Sequence, residues 1–82
     1  MVFDVEIKKG PFTFAVYGNY YRVYRNSPDG IKEVGDVVYS VGHPPVWVEP
    51  ELSGGYRVEV KNLTNDMKLA QDVLTVAVLE GI

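Results

Sequence analysis

Apolar and polar residues alternate along most of this chain with the two-residue period of β-strands. The segment Phe3–Lys8 places apolar side chains on one face and charged side chains on the other, and the segment Tyr56–Lys61 alternates most regularly. Fifteen valines add to this pattern, because β-branched residues favour strands over helices. Seven strands are expected, over residues 3–8, 12–17, 20–25, 31–41 (bulged or broken at Gly35), 46–48, 56–61 and 72–79.

Turn residues separate these segments at intervals of about ten residues. Gly18-Asn19 is a two-residue connection between β-rich segments, a strong hairpin signal because both residues tolerate positive φ. Pro44-Pro45 interrupts strand pairing, since neither proline has an N–H to donate. One helix is expected over residues 66–71, with Thr64 or Asn65 as its N-cap.

These elements predict a single all-β domain over residues 1–82, with at most one short helix. The expected fold is an antiparallel β-sandwich of about seven short strands in the immunoglobulin-like style, and a small barrel of the OB or SH3 type is the alternative. The segment 52–60, in which Tyr56 begins a late strand, resembles the tyrosine corner of immunoglobulin-like domains. The chain departs from them in having no cysteine pair, and this resemblance implies a fold but no function.

Composition excludes several kinds of site and leaves the partner open. The chain has no cysteine and a single histidine, so we expect no disulfide, no metal site and no cofactor. Its net charge of −3 gives it no general attraction for nucleic acid or anionic lipid. It has neither an apolar stretch long enough to span a bilayer nor a signal-peptide pattern, so the expected location is the cytoplasm, or a particle assembled there.

The hairpin over residues 12–25 is the most informative segment, because it holds six of the ten aromatic residues. Pairing about the Gly18-Asn19 turn places Phe12, Phe14, Val16, Tyr21 and Val23 on one face, which we expect to lie in the core. The other face, which we expect to point to solvent, carries Thr13 and Ala15 and the candidate partner-binding residues Tyr17, Tyr20, Arg22 and Tyr24.

Three interpretations of that second face are open. The tyrosines and arginine can form a protein interface, they can stack on bases or sugars, or they can be good strand formers that stabilise the hairpin. We expect a small non-enzymatic structural or interaction module that binds a protein partner or itself through this face. The alternative is a single-stranded nucleic-acid-binding barrel that uses the same aromatic residues, with weak support because basic and acidic residues balance in the first half of the chain.

Catalysis has little support in the sequence, and no small-molecule substrate is implied. His43, beside Pro44-Pro45, is a candidate general base or metal ligand, but no catalytic partner falls at a suitable spacing and we expect an exposed loop histidine. The paired carboxylates of Asp4 and Glu6 are candidates for acid–base chemistry or for a hard cation, but we expect them to form a solvated face or a charged edge that discourages strand addition. Trp47 fits either the core or an interface.

Overall fold

In the computed structural model, which describes residues 5–50 and 57–80, a six-stranded antiparallel sheet carries one helix on one of its faces. Each strand pairs with the next along the chain, in the spatial order β1 to β6. The strands are β1 (Val5–Lys9), β2 (Phe12–Tyr17), β3 (Tyr20–Ser27), β4 (Gly30–Val38), β5 (Val46–Pro50) and β6 (Arg57–Glu59), and the helix is α1 (Asn65–Leu79).

The prediction of a mostly antiparallel β-stranded chain with one helix is confirmed. The predicted sandwich is not, because in the described ranges the second layer is helix α1 rather than another sheet. The barrel alternative is not confirmed either, since within the same ranges β1 and β6 lie at opposite edges of the sheet. Residues 52–56, which carry most of the resemblance to a tyrosine corner, lie outside the described part of the chain.

The seventh strand, predicted over residues 72–79, was wrong, because these residues continue the helix. The buried side chains of Ala70, Leu74 and Ala77 recur at the three- to four-residue spacing of a helix packed on a sheet. The valines in this stretch have a local preference for strands, but the burial of these three side chains against the sheet stabilises the helix instead. The predicted helix start is confirmed, since the hydroxyl of Thr64 accepts a hydrogen bond from the N–H of Met67 at 3.2 Å.

The core lies between α1 and one face of the sheet. Its largest member, Trp47, is 2% exposed and donates a hydrogen bond from Nε1 to Oε1 of Gln71 at 3.2 Å, so its one polar atom is satisfied. Trp47 therefore belongs to the core. The buried cluster consists of Phe12, Phe14, Val23, Val37, Trp47, Ala70 and Leu74.

A β-bulge in β4 fits the sheet to the helix, as the glycine at position 35 predicted. Val23 pairs with Gly35 while the next residue, Tyr24, pairs with Glu33, so Val34 is the extra residue. A Cβ atom on Gly35 would lie 3.2 Å from the ring of Trp47 and 3.3 Å from the terminal methyl of Met67. The missing side chain thus lets the indole and the helix approach the backbone of β4.

The described residues contain no helix that is both long and apolar enough to cross a membrane.

Two leucines on α1 test this packing. Leu74 is fully buried, and Leu74→Ala should lower the free energy of unfolding by about 2–5 kcal/mol. The matched control is Leu69→Ala on the same helix, where the side chain is 45% exposed and the loss should stay below about 1 kcal/mol. Urea unfolding of the two variants measures the difference, and equal losses would contradict the packing of α1 on the sheet.

Candidate functional site

The hairpin of β2 and β3 divides its side chains between the two faces of the sheet, as the sequence predicted. The observed register pairs Tyr17 with Tyr20, Ala15 with Arg22 and Thr13 with Tyr24. The turn has the two residues predicted, but only Gly18 takes a positive φ, of 56°, whereas Asn19 does not. The face directed away from α1 therefore carries Tyr17, Tyr20, Arg22 and Tyr24, which we call the tyrosine face.

Tyr17 and Tyr20 stack across the hairpin next to its turn. Their ring centroids lie 5.5 Å apart and their planes differ by 12°. Such a cross-strand aromatic pair contributes about 0.5–1.5 kcal/mol beyond its buried area and restricts the orientation of both rings. This contact supports the structural interpretation of the tyrosines, and it also leaves the face with a rigid aromatic element.

Arg22 is held in place from two sides. Its Nε atom donates a hydrogen bond to Oδ1 of Asp36 at 3.0 Å, and Nη2 lies 3.5 Å from Oδ2. Its guanidinium carbon lies 4.9 Å from the ring centroid of Tyr17, within the range of a cation–π contact. Asp36 lies directly opposite Arg22 in the register of β3 and β4, and it is only 3% exposed.

Asp36 is a member of this site that sequence reasoning missed. An acid between Gly35 and Val37, in a strand otherwise rich in valine, was a usable signal. Its partnership with Arg22, however, depends on the register of β3 against β4, which the bulge at Val34 shifts between Val23 and Tyr24. The site thus combines a sequence-predicted tyrosine face with a buried carboxylate that holds its arginine.

The surroundings of Arg22 and of Tyr17 shift the pKa values of these two side chains upward. The hydrogen bond to Asp36 raises the pKa of Arg22, so its guanidinium stays charged. Partial desolvation raises the pKa of Tyr17, and the neighbouring Tyr24 raises it further through its charge and a hydrogen bond. Tyr17 therefore remains a neutral phenol that can donate and accept hydrogen bonds.

Small residues lie beneath these long side chains. Ala15 is fully buried and Thr13 is 4% exposed, although both belong to the face without the helix. Thr13 donates a hydrogen bond from Oγ1 to Oδ1 of Asn26 at 2.8 Å, so its hydroxyl is satisfied. Because their neighbours across and along the strands include Arg22, Tyr17 and Tyr24, the tyrosine face shields the backbone of the hairpin on this side.

The positive charges of the first 32 residues do not form a basic surface. Arg25 pairs with Asp66 on the helix side at 3.0 Å, and Lys9 pairs with Glu80 at 2.6 Å. Lys8 lies 4.0 Å from Glu6, and Arg22 is bound to Asp36. Four of the five basic residues in this stretch thus have an acidic neighbour, which weakens the nucleic-acid interpretation.

His43 is exposed in the loop between β4 and β5, where its main-chain N–H donates to the carbonyl oxygen of Ser40 at 3.0 Å. Of the paired carboxylates, Asp4 lies outside the described residues and Glu6 is exposed. Over residues 5–50 and 57–80 there is no group of three or more histidine, cysteine, aspartate or glutamate residues that could hold a metal ion.

No family model matches this chain, and the searches of curated proteins and of solved structures found no match either. The site is therefore interpreted from its own geometry.

The two aspartate–arginine pairs form a matched test of the buried carboxylate. Asp36→Asn removes the charge that faces Arg22 in a site where the carboxylate is 2% exposed, and it should cost about 2–4 kcal/mol of unfolding free energy. Asp66→Asn breaks the pair with Arg25, in which the carboxylate is 44% exposed, and should cost about 1 kcal/mol or less. Denaturant midpoints of both variants give the comparison; a cost for Asp36→Asn no larger than that for Asp66→Asn would contradict this role.

Proposed function

We propose that this chain is a non-enzymatic protein-interaction module that docks a second copy of itself through the tyrosine face. The observation that supports the proposal most directly is the fixed arrangement of that face. Tyr17 is stacked on Tyr20 and lies under Arg22, which is itself bound to the buried Asp36.

A face arranged in this way has the properties of an interface anchor. Tyrosine and arginine are the residue types enriched at the energetic centres of protein interfaces, because they offer large contact area with polar tips. Side chains that are already ordered in the free protein lose less conformational entropy on binding, so more of the contact energy becomes affinity.

The charges of the face favour a protein over a nucleic acid as the partner. Arg22 is neutralised by Asp36, and Glu6 lies beside Lys8 at the edge of the same face. A surface that binds single-stranded nucleic acid needs an excess of positive charge along the path of the phosphates, in addition to aromatic rings for stacking. The tyrosine face has the rings and lacks that excess.

Removal of two rings from the face tests the proposal. The double variant Tyr20→Ser/Tyr24→Ser should associate at least about tenfold more weakly than the wild-type chain, because such aromatic anchors carry much of the energy of an interface. Sedimentation velocity over a range of concentrations measures the association, and circular dichroism checks that the variant is folded.

The matched control is Leu69→Ser, which removes an exposed apolar side chain, of 45% exposure, on α1, on the other side of the sheet from the tyrosine face. The control should associate as the wild-type chain does. Identical sedimentation of the wild-type chain and of Tyr20→Ser/Tyr24→Ser at every concentration would refute docking of a second copy through this face.

A binding assay with fluorescently labelled single-stranded oligonucleotides distinguishes the alternative. At about 50 mM salt, where phosphate contacts are strong, we expect no binding. Binding that weakens steeply as salt is added, and that is lost in Tyr20→Ser/Tyr24→Ser, would instead support nucleic-acid recognition.

A further inference from the structure

Strand β1 is an edge of the sheet. It pairs with β2 on one side, and within residues 5–50 and 57–80 no strand pairs with its other side. An edge of this kind presents backbone N–H and C=O groups at the spacing that another strand requires. Five residues, Val5–Lys9, form this edge, a length of about 17 Å that is typical of paired strands.

The alternation of β1 restricts how a second strand can pair with it. Glu6 and Lys8 lie on the side of the tyrosine face, since they pair with Ala15 and Thr13 in β2. Val5, Ile7 and Lys9 lie on the side of α1, since Ile7 and Lys9 pair with Phe14 and Phe12. A second copy of β1 can pair so that both helices lie on the same side of the joined sheet. Each residue on the tyrosine-face side then has to lie opposite a residue on that side, and each residue on the α1 side opposite one on the α1 side.

Charge then selects one register for two antiparallel copies of β1. Centring the pair on Glu6 places Glu6 opposite Glu6, and centring it on Lys8 places Lys8 opposite Lys8. Centring it on Ile7 places Glu6 of each copy opposite Lys8 of the other, so both charged pairs are attractive. A two-fold axis through Ile7 is thus the arrangement in which the edge is complementary to itself.

We propose that a second copy of the chain pairs with β1 in this register, which joins two six-stranded sheets into one. The proposal is independent of docking through the tyrosine face and adds a second contact between copies. Glu6 and Lys8 are available for it, because their side chains are 41% and 77% exposed and their mutual distance within one chain is a loose 4.0 Å.

The helix side of the same edge carries exposed apolar side chains that such pairing would cover. The end of α1 lies beside β1, as the contact between Lys9 and Glu80 at 2.6 Å shows. Val5 is 52% exposed, and in the last turns of α1 Val76 and Leu79 are 51% and 76% exposed. A shallow cleft of about 300 Å³ runs between Gly10 and Val76 on this side.

In the proposed register Val5 of each copy lies opposite Lys9 of the other. The methylene groups of Lys9 can cover an apolar neighbour while its ammonium group stays paired with Glu80, so this pair is compatible with burial of Val5. The clefts between β1 and α1 then lie beside the joined edge in both copies. Burial of these apolar groups would add to the backbone hydrogen bonds of the strand pair.

The arrangement has a consequence for the tyrosine face. A two-fold axis perpendicular to the sheet keeps both tyrosine faces on the same side of the joined sheet and both helices on the other side. The dimer would therefore present two docking faces together, and a partner that engages both would gain from the high effective concentration of the second.

Charge reversal at two positions tests the register. Glu6→Lys and Lys8→Glu each turn both attractive pairs into repulsive ones, so each variant alone should dimerise about tenfold or more weakly than the wild-type chain. The combined variant Glu6→Lys/Lys8→Glu exchanges the two charges and should dimerise as the wild-type chain does. An equimolar mixture of the two single variants should form a mixed dimer, because each supplies the charge that the other lacks.

Sedimentation equilibrium measures the masses against the 9.2 kDa of one chain. Glu6→Lys changes the net charge from −3 to −1 and Lys8→Glu changes it from −3 to −5, so weaker dimers of both single variants exclude a general effect of net charge. Recovery of the dimer in the mixture excludes a loss of folding, because each single variant is then still able to pair. These masses are measured in the Tyr20→Ser/Tyr24→Ser background, where docking through the tyrosine face is removed. The absence of a dimer with the native β1 sequence, single charge variants that dimerise fully, or a mixture that stays monomeric would each overturn the proposal. The variant Tyr20→Ser/Tyr24→Ser should keep this dimer, which separates the two contacts.

Discussion

The alternation of side chains along the β2–β3 hairpin is the constraint on which both the core and the candidate site depend. With the pair Phe14–Val23 under the helix, the pair Tyr17–Tyr20 has to point the other way. A shift of one residue in either strand would expose the phenylalanines and bury the phenols. The two-residue turn at Gly18 fixes the register, so one local conformation determines what is core and what is surface.

The face that results is an ordered set of half-buried side chains. The carboxylate of Asp36 is buried in β4, and the guanidinium group of Arg22 in β3 donates a hydrogen bond to it. The ring of Tyr17 packs against that guanidinium group. A buried charge is tolerated only where its partner stays in place, so this pair restricts the neighbouring rings as well. Stability and recognition therefore depend on the same contacts, and the structural and the functional interpretations of the tyrosines are compatible.

Sequence patterns predicted what local rules determine. The hairpin register followed from Gly18-Asn19 and the two-residue period, and the bulge followed from a glycine inside a strand. The second half of α1 was missed, because the preference of Val73, Val76 and Val78 for strands is overridden by burial of Leu74 against the sheet. The partnership of Arg22 with Asp36 was missed because it depends on pairing between strands whose register a bulge shifts.

The most direct test of the account is nuclear magnetic resonance of the aromatic side chains with a soluble paramagnetic agent, which accelerates relaxation of protons that solvent reaches. At concentrations at which the chain is monomeric, ring protons of Tyr20 and Tyr24, which are partly exposed, should relax much faster when the agent is added, whereas those of the fully buried Phe12 and Phe14 should be protected. Protected tyrosines together with accessible phenylalanines would show that the hairpin faces the other way, and the account of the core and of the docking face would then be wrong.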